Sequence, residues 1–209
     1  MIGSLTVLNM PEIVRMVGIT KRFPGVVANY KVNFDLLRGE VHTLLGENGA
    51  GKTTLMNILC GYYLPDEGEI YIDGERVEIY SPRDAMKYGI FMIPQTPKLV
   101  RSMTVAENIA ISLTHVGIFL PAKKAKKLII SACEKYGISI DPDKKVYNIS
   151  ASEQKRVEII KALIMNARVL VFDEPTAMLS IVERDRLFDF FEVFKRSGGS
   201  IVFITHKLD

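Results

Sequence analysis

Cysteine is scarce in this chain, and with it every sign of a cross-linked or zinc-built framework. The two cysteines, Cys60 and Cys133, stand in apolar surroundings without CxxC spacing or clustered histidines, a usage that fits a reducing compartment. Long apolar runs are missing too. No stretch approaches the roughly 18 residues that a bilayer span needs, and MIGSLTVLNMPEI lacks the basic start and long apolar core of a signal peptide. The chain is therefore expected to be soluble, with docking on a membrane protein left open. Nor is there an excess of one charge: 27 Lys and Arg against 24 Asp and Glu give a formal net charge of +3, too even for nucleic-acid binding by bulk electrostatics. The one basic concentration, Lys123, Lys124, Lys126 and Lys127, reads as a solvated helix face.

Core-forming residues are plentiful. A hydrophobic share of 48% over 209 residues is enough for one domain with room for a subdomain. EIVRMVGIT, KVNFDLL, EVHTLL and EIYIDGERVEIY read as short strands, interrupted by one helix that follows Lys52 and buries Leu55, Ile58 and Leu59. From about Ser81 to Ala167 the pattern is helical, in SPRDAMKYG, TVAENIAISL and PAKKAKKLIISACEKYG, the last with Pro121 in its first turn and Gly137 at its end. Thr104 and Glu107 form a capping box. VLVF and SIVFIT then return as strands around an amphipathic helix. Continuous apolar strands alternating with helices predict an α/β fold with a mostly parallel sheet, an antiparallel patch from the early strands and a helical insertion.

GENGAGKTT, Gly46 to Thr54, matches G-x-x-x-x-G-K-[ST] between an apolar strand and a helix, the context that gives the match meaning. Its glycines let Asn48, Gly49, Ala50 and Gly51 wrap a phosphate with converging N–H groups. Lys52 supplies a point charge for the β- and γ-phosphates, Thr53 a hydroxyl for Mg²⁺, and Thr54 continues the cradle. Such a loop needs a carboxylate for the metal, and VLVFDEP offers Asp173 at the end of an apolar strand. Glu174 beside it is poorly explained by packing, because alternation sends adjacent side chains to opposite faces; a base for an attacking water accounts for it.

ISASEQKRVEII allows two readings. Ser150 and Glu153 form a capping box ahead of a stripe of Val157, Ile160, Leu163 and Ile164, which is sufficient as local structure. The same helix start is also a ready anion site.

With these residues in view, the sequence resembles the ATP-binding subunit of an ABC transporter from about Glu12 to His206. GENGAGKTT looks like the Walker A motif and VLVFDEP like the Walker B, which implies a P-loop NTPase core with ATP and Mg²⁺ as ligands and Glu174 as the catalytic carboxylate. IPQTP looks like the Q-loop with Gln95, SIVFITH like the H-switch with His206 near the γ-phosphate, and Phe23 takes the place of the adenine-stacking aromatic. ISASEQKRVEII takes the place of the signature motif, so that Ser150, Ser152 and Gln154 would face the nucleotide of an opposing cassette. Ser152 stands where the family usually has glycine; its side chain could crowd the γ-phosphate or donate to it. Ser180 stands where many cassettes have aspartate, a hydroxyl being common in the sugar-importer branch.

GENGAGKTTLMNIL, DEPTAML and THKLD narrow the resemblance to the first ATPase half of tandem subunits that drive import of simple sugars or nucleosides. The implied partners are a second cassette, in tandem or as a homodimer, and membrane permease subunits that dock near Gln95 to Leu120 on TPKLVRSMTVAENI, with a solute-binding protein involved indirectly. The implied location is peripheral, on the cytoplasmic face of the cell membrane. The expected division is one ABC ATPase domain, with residues 1–95 and 166–209 as RecA-like core and antiparallel part and 96–165 as helical subdomain. Because the family continues past the H-switch, the chain is expected to be part of a longer protein. Two alternatives stay beside this expectation: a nucleotide-binding module without efficient hydrolysis of its own, and a non-transport ABC ATPase.

Overall fold

A computed structural model describes residues 11–114, 121–175 and 179–206. β1 (Glu12–Phe23) and β2 (Val26–Leu37) pair antiparallel, and β4 (Glu67–Ile72) with β5 (Glu75–Val77) extends them into a sheet of order β2-β1-β4-β5. A second, wholly parallel sheet places β3 (Val41–Leu45), β8 (Ser200–Thr205), β7 (Val169–Asp173) and β6 (Ile90–Ile93) side by side in that order. The early strands thus divide: VHTLL leaves the antiparallel patch and becomes an edge of the parallel sheet.

Residue parity in the central strands creates two cores. Val169, Val171, Val202 and Ile204 face α1 (Lys52–Leu59) and the antiparallel sheet. Leu170, Phe172, Ile201 and Phe203 face the opposite core, built with α3 (Val105–Thr114), α4 (Ala122–Tyr136), α5 (Ala151–Ile164) and α6 (Ile181–Arg196). Helices cover both faces of β7 and β8, which is why these strands read as unbroken apolar runs. On α6, Phe190, Phe191 and Phe194 are buried, and the Phe191 ring lies 5.0 Å from that of Phe172.

Two sequence expectations need correction. The stretch from Ser81 to Ala167 is not helical throughout: after the short α2 (Pro82–Lys87) it contains β6, four apolar residues between Gly89 and Pro94. A segment this short carries no period of its own, and its pairing with β7 decides its state. Pro121 is the N-cap of α4, with extended backbone, one position ahead of the expected first turn. Gly137 ends that helix in the left-handed region, and the Thr104–Glu107 box caps α3 with both of its hydrogen bonds. DEPTAML, THKLD and the segment up to Leu120 lie partly outside the described residues.

Candidate functional site

Four loops leave the C-terminal edge of the parallel sheet, and each carries residues singled out from the sequence: 46–51 after β3, Gln95 after β6, Asp173 and Glu174 at the end of β7, and His206 after β8. Ligands of open α/β sheets bind at this edge.

The loop after β3 is shaped by Gly51. Its φ is +82°, and a Cβ there would lie 2.2 Å from the Ala28 carbonyl oxygen of β2, so no other residue fits without moving that strand. Asn29 of β2 donates from Nδ2 to the Gly51 carbonyl at 3.2 Å, which fastens the loop to the antiparallel sheet. Asn48, Gly49 and Ala50 are exposed at the tip. Lys52 opens α1 and bends back over the loop, Nζ donating to the carbonyls of Gly46 at 2.6 Å and Glu47 at 2.8 Å. One ammonium thus gathers two carbonyl oxygens of the loop, while the Ala50 N–H donates to the Glu47 carbonyl at 3.3 Å.

Parity aims Asp173. It follows Val169 and Val171 on the face toward α1, and its Oδ1 accepts from the Thr53 hydroxyl at 3.3 Å. Burial, with the neighbouring Glu174 charge, holds the Asp173 carboxyl above its ordinary range; the Thr53 hydroxyl and the Lys52 and Lys155 ammonium groups pull the other way. Strand alternation alone would send Glu174 into the opposite core. It does not follow the alternation: Glu174 has φ +44°, uncommon for a residue with a side chain, and its N–H donates to Ile204 of β8 at 3.1 Å. Its Oε1 meets Nδ1 of His206 at 2.7 Å. Asp173 and Glu174 can therefore face one edge without one of them entering a core.

Phe23 ends β1 half-buried, edge-on to Tyr63 at 5.4 Å. Gln95 is exposed just beyond β6. Ser150, Ser152 and Gln154 occupy the start of α5. Ser150 completes the capping box with Glu153, Gln154 donates to the Ile149 carbonyl at 3.2 Å, and Ser152 lies beside Glu183 of α6, whose carboxyl the Ser180 backbone and hydroxyl and then the Ser152 hydroxyl hold below its ordinary range. Glu183 belongs to a second capping box, made with Ser180 at the start of α6. The structure thus joins the 46–54 loop with Asp173, Glu174 and His206, and ties Ser150, Ser152 and Gln154 to their own helix pair.

Two residues of α5 escaped the sequence reading. Lys155 donates from Nζ to the carbonyl of Pro175 at 3.0 Å, and burial pushes its ammonium down to about 8 against the pull of the Asp173 carboxylate. Glu158, 2% exposed, pairs with Lys161 and accepts from the backbone N–H of Lys98 at 2.9 Å, which anchors the segment after Gln95. An opposite-charge pair three residues apart inside VEIIKALI was the available signal for Glu158. Lys155 had none, since its partner is a backbone carbonyl 20 residues away.

A family model described as "ABC transporter" matches residues 30–177. The nucleoside import ATP-binding protein NupA of Lactococcus lactis is 48% identical over 198 residues, covering 94% of this chain and 39% of that protein. The ribose import ATP-binding protein RbsA of Caldanaerobacter subterraneus is 45% identical over 202 residues, covering 96% and 41%. The chain therefore spans about two-fifths of the length of these curated relatives. The crystal structure of the ADP conformation of an ATP-binding cassette of an ABC transporter superposes with a TM-score of 0.84 at 29% identity, over 95% of this chain and 82% of that one. The fold is that of the P-loop nucleotide-binding cassettes, with its parallel core, antiparallel strands and helices, and this chain belongs to the ABC transporter family.

Proposed function

We propose that this chain is an ATP-hydrolysing cassette that powers import of a simple sugar or nucleoside. The observation that carries the reading is the edge where the Lys52 loop, the Thr53–Asp173 contact and the Glu174–His206 contact meet. The Walker A amides and Lys52 hold the β- and γ-phosphates, and Phe23 stacks on adenine. Glu174 orients and polarises the attacking water, and His206, within hydrogen-bond distance of it, steadies the γ-phosphate.

Thr53 and Asp173 set two oxygen donors 3.3 Å apart beside the loop, a set that fits magnesium, which uses one or two carboxylates with substrate phosphates rather than a protein cage. Among the described residues no group of three or more His, Cys, Asp or Glu could hold a metal by itself. Gln95 would complete the surroundings of the ion. When bound, Mg²⁺ neutralises charge that develops on the transferring phosphoryl group.

In this reading α5 presents Ser150, Ser152 and Gln154 to the nucleotide of a second cassette, in tandem or as a homodimer. Residues 96–165 make up the helical subdomain, and 1–95 with 166–209 the RecA-like core and the antiparallel part. The segment 96–109 meets the permease, the solute-binding protein acts further upstream, and the cassette sits peripherally at the cytoplasmic face. No described helix is long and apolar enough to cross a membrane. The names of the relatives support a sugar or nucleoside as the cargo.

The test is steady-state ATP hydrolysis by the chain over a range of concentrations, beside Glu174→Gln. Turnover that rises faster than linearly and is lost in the variant supports hydrolysis between two cassettes. Nucleotide binding without Glu174-dependent turnover at any concentration overturns self-sufficient hydrolysis and leaves a half-site that needs another cassette.

A further inference from the structure

α5 touches the nucleotide edge in a way its signature-like start does not explain. One turn beyond Ser152, Lys155 reaches across to the carbonyl of Pro175, and one turn further Glu158 holds the backbone of Lys98. Middle turns of the same helix therefore grip the loop after β7 and the loop after β6.

The grip on Pro175 lies against a backbone that needs support. Glu174 sits at φ +44°, a conformation that costs free energy for a residue with a Cβ and persists only where its surroundings enforce it. On its N-terminal side the Glu174 N–H is bonded to Ile204 of β8. On its C-terminal side stands the Pro175 carbonyl, whose partner is Lys155. The turn is held at both ends, once by the sheet and once by α5. No capping or packing need within α5 asks for a long cation here, since the helix is capped by Ser150 and Glu153 and buries Val157, Ile159 and Ile160.

We propose that Lys155 is a positioning residue that fixes the turn carrying Glu174, so that α5 controls where this carboxylate points. The inference rests on the assignment of Glu174 as the group that polarises water. A shift of α5 would act on Glu174 through the carbonyl of the adjoining Pro175, and a carboxylate displaced by about 1 Å loses much of its catalytic effect.

The test uses Lys155→Met, which keeps the apolar stem, and Lys155→Arg, which keeps a donor. Amide hydrogen exchange at Glu174 is followed with Val171, in the middle of β7, as internal control, and kcat and KM for ATP are measured on the same samples. Loss of the strut should speed exchange at Glu174 about tenfold with Val171 unchanged, and lower kcat about tenfold with KM within about twofold; Arg should restore most of both. Unchanged exchange at Glu174 overturns the proposal, as does acceleration that Arg does not reverse or a loss confined to KM. If the parent chain shows no Glu174-dependent turnover, the hydrolytic reading fails, and exchange at Glu174 decides the strut by itself.

Discussion

Replacing Gly51 and Gly49 by alanine, one at a time, separates two costs that usually come together. Both glycines have left-handed φ, +82° and +85°, so each alanine meets the same backbone penalty of about 1–2 kcal/mol, reduced by about 0.4–1 kcal/mol because the unfolded chain also loses freedom. They differ in space. A Cβ at Gly49 meets nothing within 4 Å, whereas at Gly51 it falls 2.2 Å from the Ala28 carbonyl oxygen, 0.8 Å inside the 3.0 Å that real Cβ contacts essentially never cross. Relieving that overlap by moving β2 or the loop should add about 1–3 kcal/mol, the usual cost of overpacking. At about 3 °C per kcal/mol for a chain of this size, Gly51→Ala should melt about 3–9 °C below Gly49→Ala in a thermal-shift assay. Nucleotide affinity, measured by equilibrium titration, should fall in Gly51→Ala because the loop's amides move with it. Equal melting temperatures would refute the steric argument and mean that loop and strand part at little cost.

Other consequences are open to measurement. Ser152→Gly should raise ATP turnover in a protein containing both cassettes, by clearing the Cβ at the signature position, while costing about 0.5–1 kcal/mol as a helix glycine; an unchanged rate would sink the crowding argument. Glu158→Ala should destabilise the chain by about 3 kcal/mol, since it leaves Lys161 unpaired and the Lys98 N–H without its acceptor, and Glu158→Gln, which keeps that acceptor, should cost less; urea midpoints decide. Lys155 gives a pH signature. Its folded pKa, about 8, lies below the ordinary lysine value of 10.5, so the unfolded chain binds more protons between these limits. Its contribution is therefore unfavourable below pH 8 and is relieved as pH rises toward 10.5. The stability of Lys155→Met relative to the parent should fall across that window, and a flat difference from pH 7 to 10.5 would contradict the burial of the ammonium.

Much of the fold is local in origin and so was legible. VLVF and SIVFIT announce doubly covered strands because residues of both parities are apolar, and GENGAGKTT announces its loop because backbone wrapping restricts residue choice to a short pattern. β6 was hidden because four residues have no period to read, and only the partner strand makes them extended. The left-handed turn at Glu174 was invisible for a related reason: no glycine or asparagine marks it, and its support comes from Ile204 and, through Pro175, from Lys155, both remote in sequence. Ser152 shows the same limit. The sequence could weigh crowding against a hydrogen bond to phosphate, but not the nearness of Glu183, which depends on how two helices pack.

The shared parity of Val169, Val171 and Asp173 has a consequence for how this chain can change over time. Orientation of the acidic group is stored in the grease behind it: a deletion or insertion of one residue anywhere in β7 would exchange the strand's two faces, bury the wrong valines and turn Asp173 away from Thr53 in the same stroke. A frame slip that spoils the chemistry thus also spoils folding. Chains with a mis-aimed carboxylate would be cleared as misfolded protein before they could compete for nucleotide as inert copies.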